Sequence, residues 1–434
     1  MLAEPDEKDH SDRFDALRVG TARPRIVIVG GGFGGLACAM ELGNTDFDVT
    51  VIDRRNHNLF QPLLYQVATA ALSPADIAEP IRKTLGRYKN INMIMATVTG
   101  VQPDTSLVEL DDGSALPYGR LVIATGSEYN YFGNDHWRPL APGLKTIHEA
   151  RTIRQRLLLS FEKAETSKSI AEKEAFLTSI VIGGGPTGVE MAGAISELGR
   201  FMIERDFRDL KKEQHRVILV EAGPRILAAF PTDLSSYAVD HLCKIGVTVR
   251  TGERVTEITA DGVRIGEDFT PAGCVVWGAG VKASPAATWL GLESDRMGRI
   301  PVDNTLRVIG FSNIYALGDT ALTLDTDDKP LPGLAQVAKQ QGIYLGRQIR
   351  SVKPFAQPFR FKNRGNTAVI GRNAAIFDFG TWTLKGRLAW LLWAVVHVYL
   401  LVNFEKRILV SVQWIWRYLT RQRGARLIDE DKTA

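Results

Sequence analysis

The sequence predicts an α/β protein with two parallel-sheet units of the same design. Apolar runs at residues 25–29 and 179–182 are typical of buried parallel strands, and each leads through a glycine-rich turn into a helical stretch. In both halves, the strand that closes the unit arrives 94 residues after the first glycine of the turn. The 434 residues are 45% hydrophobic and 24% charged, an ordinary globular composition that can fill more than one core.

The first unit has the pattern of a dinucleotide-binding turn. Gly30, Gly32 and Gly35 match G-x-G-x-x-G: the first allows a tight turn, the second lets the backbone approach a pyrophosphate, and the third lets the helix pack on the strand. A phosphate there would lie on the helix N-terminus, where free N–H groups and the helix dipole favour an anion. The next strand ends at Asp53, whose carboxylate can accept hydrogen bonds from a ribose diol.

The second unit repeats this pattern. Gly183, Gly185 and Gly188 occupy the same positions of the motif, and the strand after the helix ends at Glu221. Two such units predict two Rossmann-like domains and two bound dinucleotides. An acid at both strand ends favours a free ribose 2′-hydroxyl over a 2′-phosphate, which an arginine would be needed to accommodate. For a nicotinamide cofactor, this favours NADH over NADPH.

Further elements follow the two turns. The closing strands arrive at residues 124–126 and 277–280. Residues 313–317 are predicted to form another strand that ends at Gly-Asp, and residues 334–342 a helical stretch. From Phe355 onward come short strand-like pieces and then a strongly apolar tail.

The charge and cysteine content exclude several classes of protein. A net charge of +4 argues against a dedicated nucleic-acid binder, whose domain would be far more basic. Cys38, Cys243 and Cys274 lie far apart without a C-x-x-C pair, so we expect no metal site, redox dithiol or disulfide, and interpret them as buried small hydrophobic residues. Residues 1–24 are rich in acids and lack an apolar run, which fits neither a secretory nor a mitochondrial signal and predicts a disordered tail.

The C-terminal tail is basic and rich in aromatic residues. Its 15-residue apolar run at 388–402 is shorter than the roughly 20 residues that span a bilayer as a helix. A second stretch at 408–419 carries two tryptophans and a tyrosine between basic residues, which favours a pair of interfacial helices, with a buried hairpin or a dimer interface as the alternative. We expect His397 to be packed or hydrogen-bonded rather than catalytic. Residues 385–426 carry a net charge of +7, so the rest of the chain carries −3.

Together these motifs resemble the type II NADH dehydrogenases, which are FAD-dependent, non-proton-pumping NADH:quinone oxidoreductases. The glycine units, Ala-Thr-Gly at 124–126 and Gly-Asp at 318–319 are common to the whole superfamily of flavoproteins with two dinucleotide-binding domains. The segments N-L-F-Q-P-L-L-Y-Q at 58–66 and A-Q-V-A-K-Q at 335–340 narrow the match. The resemblance covers residues 25 to about 420.

The resemblance implies how the chain is divided between cofactors. Residues 25–145 and 291–355 would form an FAD-binding domain, residues 146–290 an NADH-binding domain inserted in it, and residues 356–434 strands and membrane-anchoring helices. FAD would be held non-covalently, and NADH would be a substrate. The residues implied for FAD are Gly30, Gly32, Gly35, Asp53, Ala124, Thr125, Gly126 and Asp319, and those implied for NADH are Gly183, Gly185, Gly188, Glu221 and Gly280.

Three residues resemble the family's catalytic positions. Glu190 resembles a glutamate near the nicotinamide and flavin rings; the alternative is a charged residue of the first helical turn that suits the helix dipole. Gln336 and Gln340 lie four residues apart on one helix face, which lines the quinone pocket in the family; the alternative is a polar helix surface. Ala335 and Ala338 would keep that face small enough for a flat ring to approach.

The implied reaction transfers a hydride from NADH to flavin N5 and then two electrons to a membrane quinone, menaquinone or ubiquinone, without proton pumping. We expect a respiratory-chain flavoprotein that is peripheral or monotopic on the cytoplasmic face of the cell membrane and forms a homodimer. One alternative is a soluble NADH-dependent reductase for a ferredoxin-type protein, which has no need of the aromatic and basic tail. The other is a flavin-bound NADH-sensing or signalling protein.

Overall fold

A computed structural model describes residues 23–351, 357–401, 404–420 and 426–428 of the chain. These residues fold into two compact units, each assembled from separate stretches of sequence. Unit 1 holds the described residues up to Asn58, then Pro80–Gly126 and the described part of Ala283–Phe361. Unit 2 holds Leu59–Glu79, Ser127–Lys282 and the described residues from Lys362 onward.

The described residues form 24 strands and 12 α-helices. The strands are β1 (Arg25–Val29), β2 (Asp48–Asp53), β3 (His57–Leu59), β4 (Ala78–Pro80), β5 (Ile91–Met95), β6 (Val98–Gln102), β7 (Leu107–Leu110), β8 (Ala115–Pro117), β9 (Arg120–Ile123), β10 (Ser127–Tyr129), β11 (Thr178–Ile182), β12 (Arg216–Glu221), β13 (Val247–Thr251), β14 (Val255–Ile258), β15 (Gly262–Ile265), β16 (Asp268–Pro271), β17 (Cys274–Trp277), β18 (Val281–Ala283), β19 (Ile300–Pro301), β20 (Ile314–Ala316), β21 (Ala321–Leu322), β22 (Asn366–Gly371), β23 (Ala374–Asp378) and β24 (Thr383–Gly386). The helices are α1 (Phe33–Glu41), α2 (Leu64–Ala68), α3 (Pro74–Ile77), α4 (Ile81–Leu85), α5 (Ile147–Thr166), α6 (Ile170–Phe176), α7 (Pro186–Arg205), α8 (Thr232–Lys244), α9 (Ala286–Trp289), α10 (Ala335–Arg350), α11 (Arg387–Leu400) and α12 (Phe404–Thr420).

Unit 1 is built on a five-stranded parallel sheet in the order β20-β9-β1-β2-β5. The central strand β1 is buried almost throughout, because a parallel sheet is covered on both faces. Helices α1 and α10 pack closely through glycine: a Cβ atom on Gly342 would lie 2.1 Å from the carbonyl oxygen of Gly34. This close approach brings α10, which carries the two predicted quinone-site glutamines, against the helix of the first glycine turn.

Unit 2 contains a four-stranded parallel sheet in the order β13-β12-β11-β17. Its first strand β11 lies between β12 and β17, just as β1 lies between β2 and β9. In each unit a three-stranded antiparallel meander, β6–β8 or β14–β16, precedes the closing strand. The predicted α/β class with two Rossmann-like parallel sheets is confirmed, and the equal 94-residue interval reflects closing strands in the same place.

The units begin and end at residues other than those predicted for the domains. Residues 127–145 lie in unit 2, because Tyr131 and Trp137 pack on Trp277 with ring centroids 4.9 and 5.8 Å apart. The helix α9, predicted as part of the inserted domain, contributes buried alanines to the core of unit 1. These partners are distant in the sequence, so local pattern could not assign the two segments.

The C-terminal strands pack as part of unit 2. The hairpin of β22 and β23 packs on α7, where a Cβ atom on Gly193 would lie only 2.0 Å from the carbonyl oxygen of Ile370. Helices α11 and α12 follow. Among the residues that the structure describes, no helix has both the length and the apolar character needed to cross a bilayer.

The predictions for the cysteines have a mixed outcome. Cys38 and Cys274 are buried as expected, but the prediction was wrong for Cys243, which is exposed on α8. In the described part of the chain no cluster of three or more His, Cys, Asp or Glu side chains could hold a metal ion. Most of the predicted acidic tail, residues 1–22, lies outside the described residues.

Candidate functional site

The three glycines of the first turn differ in whether the fold itself requires a glycine at that position. Gly30 has a φ of +105°, and a Cβ atom there would lie 2.3 Å from the carbonyl oxygen of Ala124. A Cβ atom on Gly35 would lie 1.8 Å from the carbonyl oxygen of Gly30. Gly32 has ordinary backbone angles, and a Cβ atom there would have nothing within 4 Å. Packing of the chain therefore requires the first and third glycines but leaves open space beside the second.

The second turn repeats this arrangement within unit 2. Gly183 has a φ of +106°, and its Cβ atom would lie 2.6 Å from the backbone carbon of Gly278. A Cβ atom on Gly188 would lie 1.8 Å from the carbonyl oxygen of Gly183, whereas one on Gly185 would have nothing within 4 Å. The backbone at Gly32 and at Gly185 is thus open to an external group at the N-terminus of a helix, where an anion is favoured.

Asp53 lies at the carboxyl end of β2, and its carboxylate is hydrogen-bonded to the first glycine turn. Its Oδ2 accepts a hydrogen bond from the Gly31 N–H (2.7 Å) and its Oδ1 accepts one from the Arg55 N–H (2.8 Å). The buried Asn58, first residue of the N-L-F-Q-P-L-L-Y-Q segment, donates from Nδ2 to the carbonyl oxygen of Gly31 (2.9 Å). Each carboxylate oxygen retains a lone pair for a ribose hydroxyl.

Glu221 makes the same pair of bonds in unit 2. Its Oε2 accepts from the Gly184 N–H (2.6 Å) and its Oε1 from the Gly223 N–H (2.7 Å). The repeat in sequence is therefore also a repeat in hydrogen bonding: each acid is held by the residue after the first glycine of its turn and by its own second neighbour. Both carboxylates are oriented before any ligand binds.

Arg225 lies four residues beyond Glu221, where an arginine could have met a 2′-phosphate. Its guanidinium is instead hydrogen-bonded to the backbone of the following loop. It donates to the carbonyl oxygens of Leu227 (3.3 Å), Ala228 (2.6 Å) and Phe230 (2.8 Å). This arrangement agrees with the expected preference for a free 2′-hydroxyl, and it depends on a loop conformation that the sequence pattern alone does not show.

The Ala-Thr-Gly segment of unit 1 is joined to neighbouring loops by three hydroxyl groups. Thr125 Oγ1 lies 2.5 Å from Ser284 Oγ and 3.3 Å from Thr320 Oγ1, and the last two oxygens are 3.3 Å apart. The Ser284 N–H also donates to the carbonyl oxygen of Gly126 (3.1 Å). Ser284 was missed by sequence reasoning because it lies 159 residues from Thr125.

Asp319 lies in a short 3₁₀ turn, Gly318–Thr320, that is braced from α10. The fully buried Gln341 accepts from the Gly318 N–H (2.7 Å) and donates to Thr323 Oγ1 (2.9 Å). Gln341 is thus a positioning residue for the Asp319 turn. Its spacing from the buried Val337 on the same helix could have identified it.

Gln336 and Gln340 share one partly exposed side of α10, as predicted. Ala338 does not lie on that side: it is buried, and a Cβ atom on Gly318 would lie 3.2 Å from its Cβ atom. The expectation that Ala338 keeps the glutamine face small was therefore wrong. Two positions along a helix rotate a side chain by about 200°, so Ala338 faces α1 and the Asp319 turn instead.

Glu190 is the fifth residue of α7, so it lies beyond the first turn and the helix-dipole alternative does not apply. Its Oε1 accepts a hydrogen bond from the Val369 N–H (3.3 Å) on β22. Burial raises the pKa of the carboxyl to about 8, and the Val369 N–H only partly offsets this. A pKa of about 8 favours the protonated carboxyl at neutral pH.

The C-terminal helices dock on unit 2 through polar and aromatic contacts. On α12, Gln413 Nε2 donates to Asp76 Oδ1 (3.2 Å) and Trp414 Nε1 donates to Gln66 Oε1 (3.0 Å). On α11, His397 stacks on Trp393 (ring centroids 4.3 Å apart) with its Nδ1 2.9 Å from that residue's carbonyl oxygen. Burial lowers the pKa of His397 to about 4, so the structure agrees with its predicted packing role.

The opposite sides of these two helices are apolar and exposed. The exposed residues are Leu388, Leu391, Val395, Tyr399, Ile408, Val412, Ile415, Trp416 and Leu419, which we call the outer face. Three of the flanking cations expected from the sequence, namely the side chain of Arg417 together with Arg421 and Arg423, lie outside the described residues. The outer face itself matches the apolar side of an interfacial helix.

Comparisons with known proteins place these features in context. Residues 24–342 match the family model described as pyridine nucleotide-disulphide oxidoreductase, and residues 363–423 match the NDH2 C-terminal domain. The type II NADH:quinone oxidoreductase Ndh of Mycobacterium tuberculosis is 36% identical over 427 residues, covering 94% of this chain and 91% of that protein. Its NdhA counterpart is 38% identical, covering 93% and 88%.

A solved structure has the same fold. The structure of NDH2 from Plasmodium falciparum in complex with NADH superposes with a TM-score of 0.85 and covers 94% of this chain and all of that one. The sequences are 22% identical, so this likeness supports the fold alone.

Proposed function

The chain belongs to the type II NADH:quinone oxidoreductases, and on that premise we propose that unit 1 holds FAD non-covalently while unit 2 binds NADH as a substrate. The observation that carries the assignment is the open space beside Gly32 and Gly185. The other glycines of the two motifs are required by the chain's own packing. Gly32 and Gly185 are required only if the pyrophosphate of a ligand must come close to the protein backbone there.

The residues of unit 1 fit a flavin dinucleotide. The turn at Gly32 offers helix N–H groups to a pyrophosphate, and Asp53 offers carboxylate oxygens to a ribose. The hydroxyl cluster around Thr125 and the braced Asp319 turn would hold the ribityl and phosphate portion. Acceptance of a hydride from NADH and delivery of two electrons to a quinone is the chemistry that a bound flavin supplies.

In unit 2, the chain's own residues orient NADH. Glu221 would accept hydrogen bonds from the adenosine ribose, and the commitment of Arg225 to backbone carbonyls supports NADH over NADPH. Glu190 is the acidic side chain assigned to the nicotinamide end. Its raised pKa, about 8, favours the protonated form at neutral pH, which would present a hydrogen-bond donor rather than a negative charge there.

Gln336 and Gln340 are assigned to the quinone, whose oxygens accept the hydrogen bonds that glutamine amides donate. Gln340→Phe should therefore slow reoxidation of the reduced flavin by quinone at least tenfold and leave flavin reduction by NADH within about twofold. Stopped-flow measurement of the two half-reactions separates them. Lys339→Phe, on the exposed side of the same helix, is the matched control. Equal loss of both half-reactions in Gln340→Phe would contradict this role.

Attachment to the membrane is assigned to the outer face of α11 and α12. Its exposed apolar side chains, on helices that dock by their other side, are what a peripheral protein needs to rest in the lipid interface. A quinone in the lipid could then reach the protein without entering water. Menaquinone and ubiquinone are both compatible, and the cytoplasmic face and a homodimer remain predictions.

One spectroscopic experiment tests donor, cofactor and acceptor together. Purified full-length protein should show flavin absorbance bands that bleach when NADH is added anaerobically and return when a short-chain quinone follows. A ferredoxin-type reductase would not return the bands with quinone, and a sensing protein would hold its NADH complex without turnover. Equal rates of NADH oxidation with and without quinone would refute quinone as the acceptor.

A further inference from the structure

Phe132, in the loop after β10, is conspicuous because neither burial nor backbone preference accounts for it. Its side chain is 63% exposed, although phenylalanine is among the residues most often buried. Its φ of +53° places it in the left-handed region, which bulky residues without a reason rarely adopt. A solvent-facing aromatic ring held in a strained conformation suggests a ligand.

The loop that carries Phe132 is held rigidly within unit 2. The Asn130 N–H donates to the carbonyl oxygen of Gly280 (3.3 Å), and Trp277 Nε1 donates to the carbonyl oxygen of Asn130 (3.2 Å). The Asn130 side chain accepts from the Phe132 N–H (2.8 Å), and the buried Tyr131 stacks on Trp277. These contacts hold the backbone that leads into Phe132, so the place of this residue is set by the fold.

The ring lies beside the second dinucleotide turn. A Cβ atom on Gly280 would lie 2.5 Å from Cζ of Phe132, so the ring covers the backbone of that glycine. Gly278 and Ala279, just before it, are the residues that a Cβ atom on Gly183 would strike. The ring therefore lies within a few residues of the phosphate-binding turn, at the carboxyl end of β17.

The strand order places this position where a ligand is expected. The chain runs from β11 outward through β12 and β13 and then returns to the other side of β11 as β17. The reversal of direction between β11 and β17 is a topological switch point, and ligands of such sheets bind at the carboxyl ends of the strands there. Gly280 follows the end of β17 by three residues, so Gly280 and the Phe132 ring against it lie at this end of the sheet.

We propose that Phe132 is an NADH-binding residue whose ring stacks against one of the two heteroaromatic rings of the bound dinucleotide. The inference rests on the assignment of NADH to unit 2. It also gives Gly280, assigned to cofactor binding only by the family resemblance, a role of its own: a Cβ atom there would collide with the tip of the phenyl ring, 2.5 Å from Cζ. Stacking of a base on an aromatic side chain is a common source of affinity.

Flavin reduction by NADH in the full-length, FAD-loaded protein tests the proposal. Phe132→Ala should raise the NADH concentration for half-maximal reduction about tenfold, the range known for loss of one stacked base, and leave the limiting rate within about twofold. Phe132→Tyr, which keeps the ring, should behave as the wild type. Phe269→Ala removes another exposed aromatic ring of unit 2, at 41% exposure, and is the matched control.

A second variant distinguishes loss of NADH binding from loss of folding. Asparagine adopts the left-handed region more readily than alanine, so Phe132→Asn should melt at or above the wild-type temperature while showing the same loss of NADH affinity. Competition by ADP-ribose distinguishes the two rings: weakened competition in Phe132→Ala assigns stacking to adenine, and unchanged competition alongside weakened NADH assigns it to nicotinamide.

Failure of the Phe132 inference and failure of the proposed function give different results. If both Phe132 variants reduce the flavin with wild-type NADH dependence, the inference is refuted while the NADH assignment stands. If the wild-type flavin is not reduced by NADH at all, the proposed function fails, and the inference fails with it.

Discussion

At the two dinucleotide turns, glycine is required for two separate reasons that look identical in the sequence. At Gly183 and Gly188 a side chain would collide with the chain's own backbone, whereas at Gly185 it would meet open space. The same division holds at the first turn. A motif that reads as one signature thus combines positions needed for folding with a position needed only for the ligand.

This division predicts that folding and binding can be separated by single methyl groups. Gly185→Ala should melt at or slightly above the wild-type temperature, because its backbone angles suit alanine and nothing is nearby, yet weaken NADH at least tenfold in flavin-reduction assays. Gly188→Ala, with its methyl 1.8 Å from a carbonyl oxygen, should melt markedly lower. Wild-type NADH affinity in Gly185→Ala would contradict the ligand-facing role.

Glu190 makes the stability of the protein depend on pH in a definite direction. A glutamate titrates near 4.3 in an unfolded chain, and burial raises the pKa of this one to about 8 in the fold. Between these values the folded state binds more protons than the unfolded state. The stability contributed by the neutral carboxyl is therefore complete below the lower pKa and is lost as the pH rises through about 8.

Glu190→Gln should remove this part of the pH dependence. From pH 5 to pH 8 its melting temperature should fall less than that of the wild type, because the amide stays neutral throughout. Thermal melts across that range measure the difference. Glu162→Gln, at an exposed position on α5, should retain the wild-type slope. Parallel slopes for wild type and Glu190→Gln would show that the carboxyl is already ionised in the fold.

At the scale of elements, the two sides of α12 have different environments: one packs on unit 2 and the other is exposed. Its inner side is fixed to unit 2 by the bonds from Gln413 and Trp414, and its outer side presents apolar residues to the exterior. Removing the tail at about residue 384 would also remove the buried Trp393, so loss of membrane binding after truncation could reflect damage to unit 2. Substitutions confined to the outer face avoid this.

A variant of α12 with glutamine at Val412, Ile415, Trp416 and Leu419 should lose co-flotation with lipid vesicles while keeping the wild-type melting temperature, because these side chains are exposed. Each large apolar side chain taken out of lipid forfeits about 1.5–3 kcal/mol of transfer free energy. Ile170→Gln, at an exposed apolar position on α6, is the control. Full co-flotation of the fourfold variant would refute the outer face as the attachment surface.

For the whole molecule, charge is distributed unevenly along the sequence. Residues 385–426 carry a net charge of +7, and the rest of the chain carries −3. Near-neutrality is thus an average over a mildly acidic flavoprotein body and a basic C-terminal segment. Cations near an anionic leaflet contribute roughly 1 kcal/mol each, and salt screens that attraction.

Vesicle binding should therefore depend on lipid charge and ionic strength. Binding to vesicles that contain phosphatidylglycerol should weaken as salt is raised from about 0.1 M to 1 M, as the Debye length falls from about 10 Å to 3 Å. Binding to phosphatidylcholine alone should be weaker and nearly independent of salt, since only the apolar term remains. Co-sedimentation measures both. Equal binding to the two lipids would show that the basic excess does not meet the membrane.

The sequence by itself determined the two dinucleotide units, the acids that close them and the family. Each depends on a pattern of neighbouring residues: a β-branched run, glycines at set spacing, and an acid at the next strand end, as with Gly30 and Asp53. The shared helix face of Gln336 and Gln340 followed equally from helical periodicity. Local geometry decides such features, so local sequence is enough to predict them.

Only the tertiary structure decided which groups support these sites. Ser284 reaches Thr125 across 159 residues, and Gln341 braces a turn 23 residues away. Ala338 faces α1 rather than the glutamine side, and the loop of Phe132 joins unit 2 because Trp277 holds it there. Such contacts arise when distant segments pack together, and no periodicity or spacing in the chain records which segments will meet.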